Sequence, residues 1–213
     1  MPAPLLTLLA VAAYGFLHSL LAGDRAKSIA ARLLGEPGRR GYRLAYNAFA
    51  LVSLWPVLAI PARDPGRILY AFPWPWAGVA LAGQGLAFLG ALAALWDTDL
   101  WSFLGLRQIF ADRPAASASA LFPAAPEPGV PRLVVRGLYR WVRHPIYTFS
   151  LIFLWLTPVM TTSLLALYGS LSAYLVVGSV FEERRLVAEF GEAYRAYQRR
   201  VPRLVPFGRA RPG

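Results

Sequence analysis

The sequence lacks cysteine and is poor in acidic residues, and both scarcities limit what the chain can be. Without cysteine, its 213 residues can form neither a disulfide nor a thiolate metal site. Only 11 acidic residues stand against 22 basic ones, which leaves a net charge of +11 at pH 7. That charge would suit a nucleic acid, but the cations border apolar runs instead of forming one basic soluble segment. We therefore expect no nucleic-acid partner and take anionic membrane lipids as the counter-charge.

Charge is absent altogether from four long stretches, residues 1–23, 44–62, 72–96 and 146–181. A transmembrane helix needs about 20 apolar residues, so each of the first three can cross a bilayer once. The fourth is too long for one crossing, and Thr157-Pro158 near its middle favours a turn. It predicts a C-terminal hairpin of two helices, about 146–160 and about 164–181. The predicted fold class is an all-α, polytopic integral membrane protein with about five transmembrane helices.

The basic residues of the connections test this count. Residues 24–43, 97–143 and 182–213 contain 20 of the 22 lysines and arginines, and residues 63–67 contain the other two. Five spans place the three basic connections on one side, which the positive-inside rule assigns to the cytoplasm. The predicted location is a bacterial inner membrane, with the N-terminus outside and the C-terminus cytoplasmic. No basic residue precedes the first apolar run, so we expect an uncleaved anchor there.

The domain prediction is a single membrane domain, residues 1–213. Residues 1–110 are expected to hold three transmembrane helices with their connections. Residues 111–135 are expected to form a Pro-rich cytoplasmic loop, which could cover a site or be an insertion without function. Residues 136–213 contain the polar motif, the hairpin and a C-terminal helix.

The C-terminal helix carries an apolar stripe with steps of three and four residues: Val187, Phe190, Tyr194, Tyr197 and Val201. The helix is too charged to span a membrane, so it is predicted to be amphipathic and to lie along the inner interface. Glu183 lies one turn before Val187, at the head of this stripe. A carboxylate on an apolar face must find a partner or shift its pKa.

Polar and small residues within the predicted spans have plain structural interpretations. Gly78, Gly83, Gly85 and Gly90 do not have the spacing of a nucleotide-binding loop and are expected to let neighbouring helices approach closely. His18 is expected to face the bundle interior and to bond to a neighbouring helix.

The predicted cytoplasmic face gathers one set of polar side chains: Gln108, Tyr139, Arg140, Arg143, His144, Tyr147, Glu182 and Glu183. Arginine suits a carboxylate, whereas histidine and glutamate can bind an ammonium, a ribose or a thiol proton. The set could therefore hold a zwitterionic small molecule. It could equally be an interfacial belt with helix-capping acids, of which Tyr139 and Trp141 are typical.

The order of these residues along the chain says more about function than their types do. The last 75 or so residues contain Gly137-Leu138-Tyr139, Val142-Arg143-His144-Pro145-Ile146-Tyr147, an apolar hairpin, Glu182-Glu183, Phe190-Gly191-Glu192, Tyr194, Tyr197, Val201-Pro202 and Pro206-Phe207. This pattern resembles the isoprenylcysteine carboxyl methyltransferase and phospholipid N-methyltransferase superfamily. The resemblance implies a membrane methyltransferase that uses S-adenosylmethionine and needs no metal.

The same resemblance implies roles for individual residues. The implied cofactor-binding residues are Gln108, Tyr139, Arg143, His144, Pro145, Tyr147 and Glu183. The implied catalytic residues are Glu182, Glu183 and Arg143. One position departs from the pattern, because family members often have glycine where this chain has Phe149. Its ring could narrow the cofactor pocket or fill space that a different substrate leaves empty.

The first half resembles a bacterial subset of the superfamily through His18-Ser19-Leu20-Leu21-Ala22, Tyr42-Arg43-Leu44, Gly105-Leu106-Arg107-Gln108 and Thr157-Pro158 with Met160-Thr161. The subset comprises NnrU-like proteins and methanethiol S-methyltransferases, and it implies a small thiol or a lipophilic acceptor as substrate. A thiol would also need a base. NnrU-like sequences further resemble a haem-holding carotenoid isomerase group, for which His18 and His144 would be the ligands. That alternative and a non-enzymatic membrane partner stay open.

Overall fold

The computed structural model describes residues 1–98, 100–110, 133 and 135–206. Its helices are α1 (Ala3–Ala22), α2 (Asp24–Arg63), α3 (Trp76–Trp96), α4 (Leu100–Leu104), α5 (Leu106–Phe110), α6 (Pro145–Trp155), α7 (Thr162–Phe190) and α8 (Glu192–Arg200). Two short strands, β1 (Ile68–Ala71) and β2 (Val159–Thr161), and a 3-10 turn at Gly137–Arg140 complete the described elements. The chain is thus an all-α polytopic membrane protein with one small ribbon. The predicted Pro-rich loop lies almost wholly outside the described residues.

Four described helices, α1, α2, α3 and α7, are long and apolar enough to cross a membrane. The fifth predicted span is shorter than expected, because α6 has 11 residues and ends at Trp155 instead of near residue 160. At about 1.5 Å per residue, a helix of that length rises only about 16 Å, roughly half the hydrocarbon thickness. Helix α7 exceeds its predicted bounds instead and continues past Glu182 and Glu183 to Phe190.

The residues that shorten α6 form a ribbon that the sequence did not predict. Strand β2 pairs antiparallel with β1, with Ile68 opposite Thr161 and Ala71 opposite Val159. The strands are three and four residues long. They are too brief for an alternating pattern to mark them within apolar runs.

Helix α2 also differs from its prediction. Its second half contains the predicted apolar run, but residues 24–43, predicted as a connection, are helical as well. Gly35 interrupts the helix with φ +64°, a conformation that glycine adopts without strain. The helix therefore kinks at Gly35, within its charged first half and before the apolar run that begins at residue 44.

The chain divides into two compact units. The first contains the described residues of Met1–Ala71, Trp101–Ala116 and Val159–Tyr174, and the second those of Phe72–Leu100, Ser117–Pro158 and Leu175–Gly213. Val11, Val57 and Leu167 form the buried core of the first unit. The core of the second contains Tyr139, Leu186, Phe190, Tyr194, Tyr197 and Val201. The predicted domain bounds at residues 110 and 135 stay predictions.

The apolar stripe of the C-terminal segment is buried in that second core. Phe190, Tyr194, Tyr197 and Val201 pack together, and Val187 packs against them. The stripe lies on two helices rather than one, because Gly191, with φ +56°, separates α7 from α8. The prediction of one continuous helix was therefore wrong, although the predicted face is the one that packs.

Glycines of α3 allow close packing against α6 in the second unit. A methyl group at Gly90 would lie 2.5 Å from the Phe149 ring, and one at Gly83 would lie 2.8 Å from Leu156. The structure confirms the expected close approach at these two positions, whereas Gly85 has nothing within 4 Å of such a methyl group. Phe149 is thereby seated against α3.

Candidate active site

Arg143 and Glu183 form a buried ion pair in the second unit. Arg143 Nε donates to Glu183 Oε1 at 2.7 Å, and Nη2 donates to Oε2 at 3.1 Å. The two residues are only 7% and 3% exposed. This two-pronged geometry is the strongest arrangement for an arginine and a carboxylate. It answers the expectation that Glu183 must find a partner.

Further contacts compensate both buried charges. Arg143 Nη1 donates to the carbonyl oxygens of Gln198, at 3.0 Å, and of Val201. Glu183 Oε2 accepts from Gln198 Nε2 at 3.0 Å and lies 3.3 Å from Arg203 Nη2. A buried ion pair needs such additional bonds to offset the desolvation of its charges. The pair consequently joins the start of α6, the C-terminal third of α7 and the segment around α8.

Backbone bonds fasten the segment after α8 to the same place. The amide of Arg143 donates to the carbonyl of Pro202 at 2.9 Å, and that of His144 donates to Arg203 at 3.1 Å. The Thr148 hydroxyl donates to the carbonyl of Leu204 at 2.7 Å. The C-terminal segment therefore docks along the entrance to α6.

His144 lies between the two glutamates. Its Nε2 is 3.2 Å from Glu183 Oε1, and its Nδ1 is 3.5 Å from Glu182 Oε2. Burial alone lowers the pKa of His144, but its hydrogen bonds to both carboxylates outweigh burial, and the pKa is raised. The imidazole is therefore held toward its charged form, in which both nitrogens donate. Pro145, completely buried, begins α6 directly after it.

Tyr147 and Glu182 form a more accessible edge beside these residues. The Tyr147 hydroxyl donates to Glu182 Oε2 at 3.0 Å, and the Tyr147 ring stacks on His144 with 5.3 Å between centroids. The Glu182 side chain is 17% exposed, against 4% for Glu183. We call Arg143, His144 and Glu183 the buried layer, and Tyr147 with Glu182 the accessible edge.

The other residues predicted for the site lie in different environments. Tyr139 belongs to the buried core, and its carbonyl accepts from the Tyr197 hydroxyl at 2.6 Å. Burial raises the pKa of both tyrosines, so both phenols stay neutral. Gln108 lies in α5 and belongs to the first unit, so its role stays a prediction.

The sequence left two interpretations of these polar residues open, a small-molecule site and an interfacial belt, and each applies to some of them. Trp141 is 64% exposed and Arg140 is exposed, as expected of an interfacial belt. Arg143, His144, Tyr147, Glu182 and Glu183 instead form one connected network. Their roles toward a ligand stay predictions. Within the described part of the chain, no three or more His, Asp or Glu side chains gather as a metal site would.

Sequence reasoning missed Gln198, Arg203 and Asp97. The carboxylate of Asp97 accepts from the Leu138 amide at 2.9 Å, and its carbonyl accepts from Arg136 Nε at 2.7 Å. Asp97 thereby holds the 3-10 turn that precedes the Arg143 motif. For Gln198 and Arg203, the sequence indicated only that Glu183 needs a partner. No feature of the sequence indicated the role of Asp97.

Comparison with known proteins gives matches over most of the chain. A family model described as "Protein of unknown function (DUF1295)" matches residues 46–201. Methanethiol S-methyltransferase 2 of Bradyrhizobium diazoefficiens is 32% identical over 207 residues, which are 95% of this chain and 73% of that protein. Methanethiol S-methyltransferase of Pseudomonas deceptionensis is 30% identical over 98% of this chain and 75% of its own length. The enzyme of that name from Crocosphaera subtropica is 28% identical over 89% and 69%. No solved structure matches.

Proposed function

Because the chain belongs to the DUF1295 family, within the isoprenylcysteine carboxyl methyltransferase-like superfamily, we propose that it is a membrane methyltransferase that methylates a small thiol. The proposed donor is S-adenosylmethionine, and the proposed acceptor is methanethiol or a similar thiol. One observation carries the proposal: the motif that the resemblance rests on folds into a single network of Arg143, His144, Tyr147, Glu182 and Glu183. Relatives named as methanethiol S-methyltransferases support the reaction class.

The network fits the amino-acid end of the donor in a particular way. The fork of Arg143 is filled by Glu183, so these two side chains are suited to positioning rather than to direct contact. Glu182 is part-exposed and could accept from an ammonium or a ribose hydroxyl. The stacked rings of His144 and Tyr147 offer a flat wall beside it. When bound, S-adenosylmethionine would supply an electrophilic methyl group on a positively charged sulfur.

The buried layer would serve the reaction by fixing geometry. Arg143, just before α6, holds Glu183 of α7 and the carbonyl of Gln198 in α8, and Thr148 holds the segment that follows α8. Methyl transfer joins two reactants, so it gains most from holding them aligned and away from water. A rigid frame beneath Glu182 and Tyr147 would provide that alignment.

The haem alternative requires a free ring nitrogen on a histidine. His144 has a carboxylate near each nitrogen. His18 has Tyr174 Oη at 2.8 Å from Nδ1 and Tyr46 Oη at 2.7 Å from Nε2. Each histidine would have to give up a hydrogen bond to bind iron, which favours the methyltransferase.

The proposal is tested with purified protein in detergent. S-adenosylhomocysteine at 100 times its dissociation constant should stabilise the fold by about 2.7 kcal/mol, which a melting experiment detects. Labelled S-adenosylmethionine, offered with alkyl thiols, prenylcysteines and phospholipids in parallel, should label the thiols. A colourless protein with this stabilisation supports the proposal. A Soret band without stabilisation would establish the haem alternative.

The proposed orientation has its own test, because the chain has no native cysteine. Arg25 and Asp64 are exposed and lie near opposite ends of α2. We expect Arg25→Cys to react with an impermeant thiol reagent from the cytoplasmic side and Asp64→Cys from the outside. Labelling of both from one side would contradict the proposed topology.

A further inference from the structure

The proposed donor ends in an α-amino acid, so its binding site must face an ammonium and a carboxylate side by side. Glu182, on the accessible edge, suits the ammonium. The sequence predicted Arg143 as a cofactor ligand, but four hydrogen bonds, to Glu183 and to two backbone carbonyls, occupy its guanidinium. Arg143 is also only 7% exposed. A ligand carboxylate could reach it only by displacing one of these partners.

Arg203 approaches the same buried carboxylate with a more open guanidinium. Its Nη2 lies 3.3 Å from Glu183 Oε2, and its side chain is 39% exposed, against 8% for that of Arg143. Among the described residues, Glu183 is the only acidic side chain in ion-pair contact with Arg203. Glu183 Oε2 already accepts from Arg143 and from Gln198, at 3.1 and 3.0 Å. Arg203 is therefore an additional cation at a carboxylate that other groups already satisfy.

The backbone at Arg203 is fixed, although the side chain is partly exposed. The carbonyl of Arg203 accepts from the His144 amide at 3.1 Å. The carbonyl before it accepts from the Arg143 amide at 2.9 Å, and the carbonyl after it accepts from Thr148 Oγ1 at 2.7 Å. A side chain that starts from a fixed backbone loses less entropy when it binds a ligand. The structure thus prepares Arg203 for binding.

Short contacts connect Arg203 to Glu182 through the buried layer. Glu183 lies between Arg203 and His144, with Oε2 3.3 Å from Arg203 Nη2 and Oε1 3.2 Å from His144 Nε2. The other nitrogen of the same imidazole, Nδ1, is 3.5 Å from Glu182 Oε2. One carboxylate and one imidazole therefore separate a partly exposed cation from a partly exposed anion, which is the charge pattern that an α-amino acid complements.

The charges of this cluster favour an anion at Arg203. Burial lowers the pKa of His144, but its hydrogen bonds to both glutamates outweigh burial and raise the pKa. With His144 charged, three cationic side chains face the two carboxylates of Glu182 and Glu183, which leaves one positive charge in excess. Arg143 and His144 are buried against those carboxylates, so the excess is most accessible at Arg203.

We infer, on the premise that the donor is S-adenosylmethionine, that Arg203 binds the carboxylate of its amino-acid end while Glu182 binds the ammonium. Arginine suits a carboxylate because two parallel N–H groups match the two oxygens. Arg203 is then the arginine that contacts the donor, and Arg143 positions it by holding Glu183.

The test compares S-adenosylhomocysteine with its decarboxylated analogue, which keeps the nucleoside and the ammonium. Wild type should bind S-adenosylhomocysteine about tenfold more tightly than the analogue, because a charge-assisted bond at a partly exposed arginine is worth the low end of its usual range. Arg203→Gln should bind S-adenosylhomocysteine about tenfold more weakly, measured by calorimetry, and should bind the analogue as wild type does. Arg203→Lys keeps the charge but not the fork, so it should lose less.

Arg200→Gln is the matched control. It removes the same charge from an exposed side chain at the end of α8, and it should bind both ligands as wild type does. If Arg203 merely holds Glu183 in place, Arg203→Gln would weaken both ligands equally. That result would overturn the inference, as would unchanged binding of both. A wild-type protein that binds neither ligand would overturn the proposed donor, and the inference with it.

Discussion

The two histidines of this chain lie in opposite kinds of environment. His144 belongs to a network of full charges, in which Arg143 and two glutamates surround it. His18 belongs to a neutral network of hydroxyls and rings. Charged networks hold geometry because separating their members exposes buried charge. Neutral hydroxyl networks can reverse their hydrogen bonds without separating charge. We therefore expect the charged cluster to tolerate the loss of one member less well than the neutral cluster does.

The largest expected loss of stability comes from a substitution at the centre of the charged network. Glu183→Gln leaves Arg143 without its carboxylate in a buried site, and removing one partner of such a pair costs about 3–5 kcal/mol. We expect the free energy of unfolding to fall by about that amount, measured by denaturant titration in detergent. Glu189→Gln is the control, since that residue lies on the same helix and should change stability by about 0.5 kcal/mol or less. Equal effects would mean that the ion pair of Arg143 and Glu183 adds little to stability.

The next largest effect is on ligand binding, and it distinguishes the role of the accessible edge from that of the buried layer. Glu182→Gln removes a part-exposed charge while leaving Arg143 and Glu183 paired. A lost charge-assisted contact is worth about 1.5–3 kcal/mol, so S-adenosylhomocysteine should bind about 10- to 150-fold more weakly. Thermal stability without ligand should stay close to that of the wild type. Unchanged affinity, measured by calorimetry, would show that the donor binds away from this edge.

The sequence predicts the charged cluster around His144 better than the neutral cluster around His18. The run from Arg143 to Tyr147 and the pair Glu182-Glu183 stand out because charge borders an apolar hairpin. Their partners do not stand out, since Arg143 bonds to the backbone carbonyls of Gln198 and Val201, and any residue supplies a carbonyl. The shortening of α6 depends on a ribbon between distant segments, which no local pattern marks.

The His18 cluster was predictable only in outline. A histidine within a span was expected to bond to a neighbouring helix, and it does. The identity of the partners depends on which faces of α1, α2 and α7 meet. Tyr46 bonds to His18, whereas the hydroxyl of Tyr42 donates to the carbonyl of Leu21 and that of Tyr14 donates to the carbonyl of Ala50. Helix rotation decides this, and it is set by long-range packing.

Proton binding by His144 gives a third, smaller effect, on how stability depends on pH. Its raised pKa means that the folded state binds the proton more tightly than the unfolded state does. The stabilisation is fully present below the ordinary histidine pKa of about 6.5 and is lost as pH rises through the raised pKa. Above about pH 6.5, the wild type should therefore lose stability relative to His144→Gln. Parallel curves from denaturant titrations at several pH values would mean that His144 is not paired.

The smallest effect tests whether packing alone assembles the neutral cluster. A methyl group at Gly15 would lie 3.2 Å from the Tyr174 ring, so the ring must shift slightly. We expect Gly15→Ala to destabilise the protein by about 1 kcal/mol, the low end for overpacking. Gly169→Ala, on α7 with open space around it, is the control and should not destabilise.

The matched pair makes the Gly15→Ala result decisive, because a displaced Tyr174 would lengthen its bond to His18, whereas a methyl group at Gly169 meets nothing. If the two substitutions change the free energy of unfolding equally, close packing at Gly15 would not be what holds Tyr174 against His18.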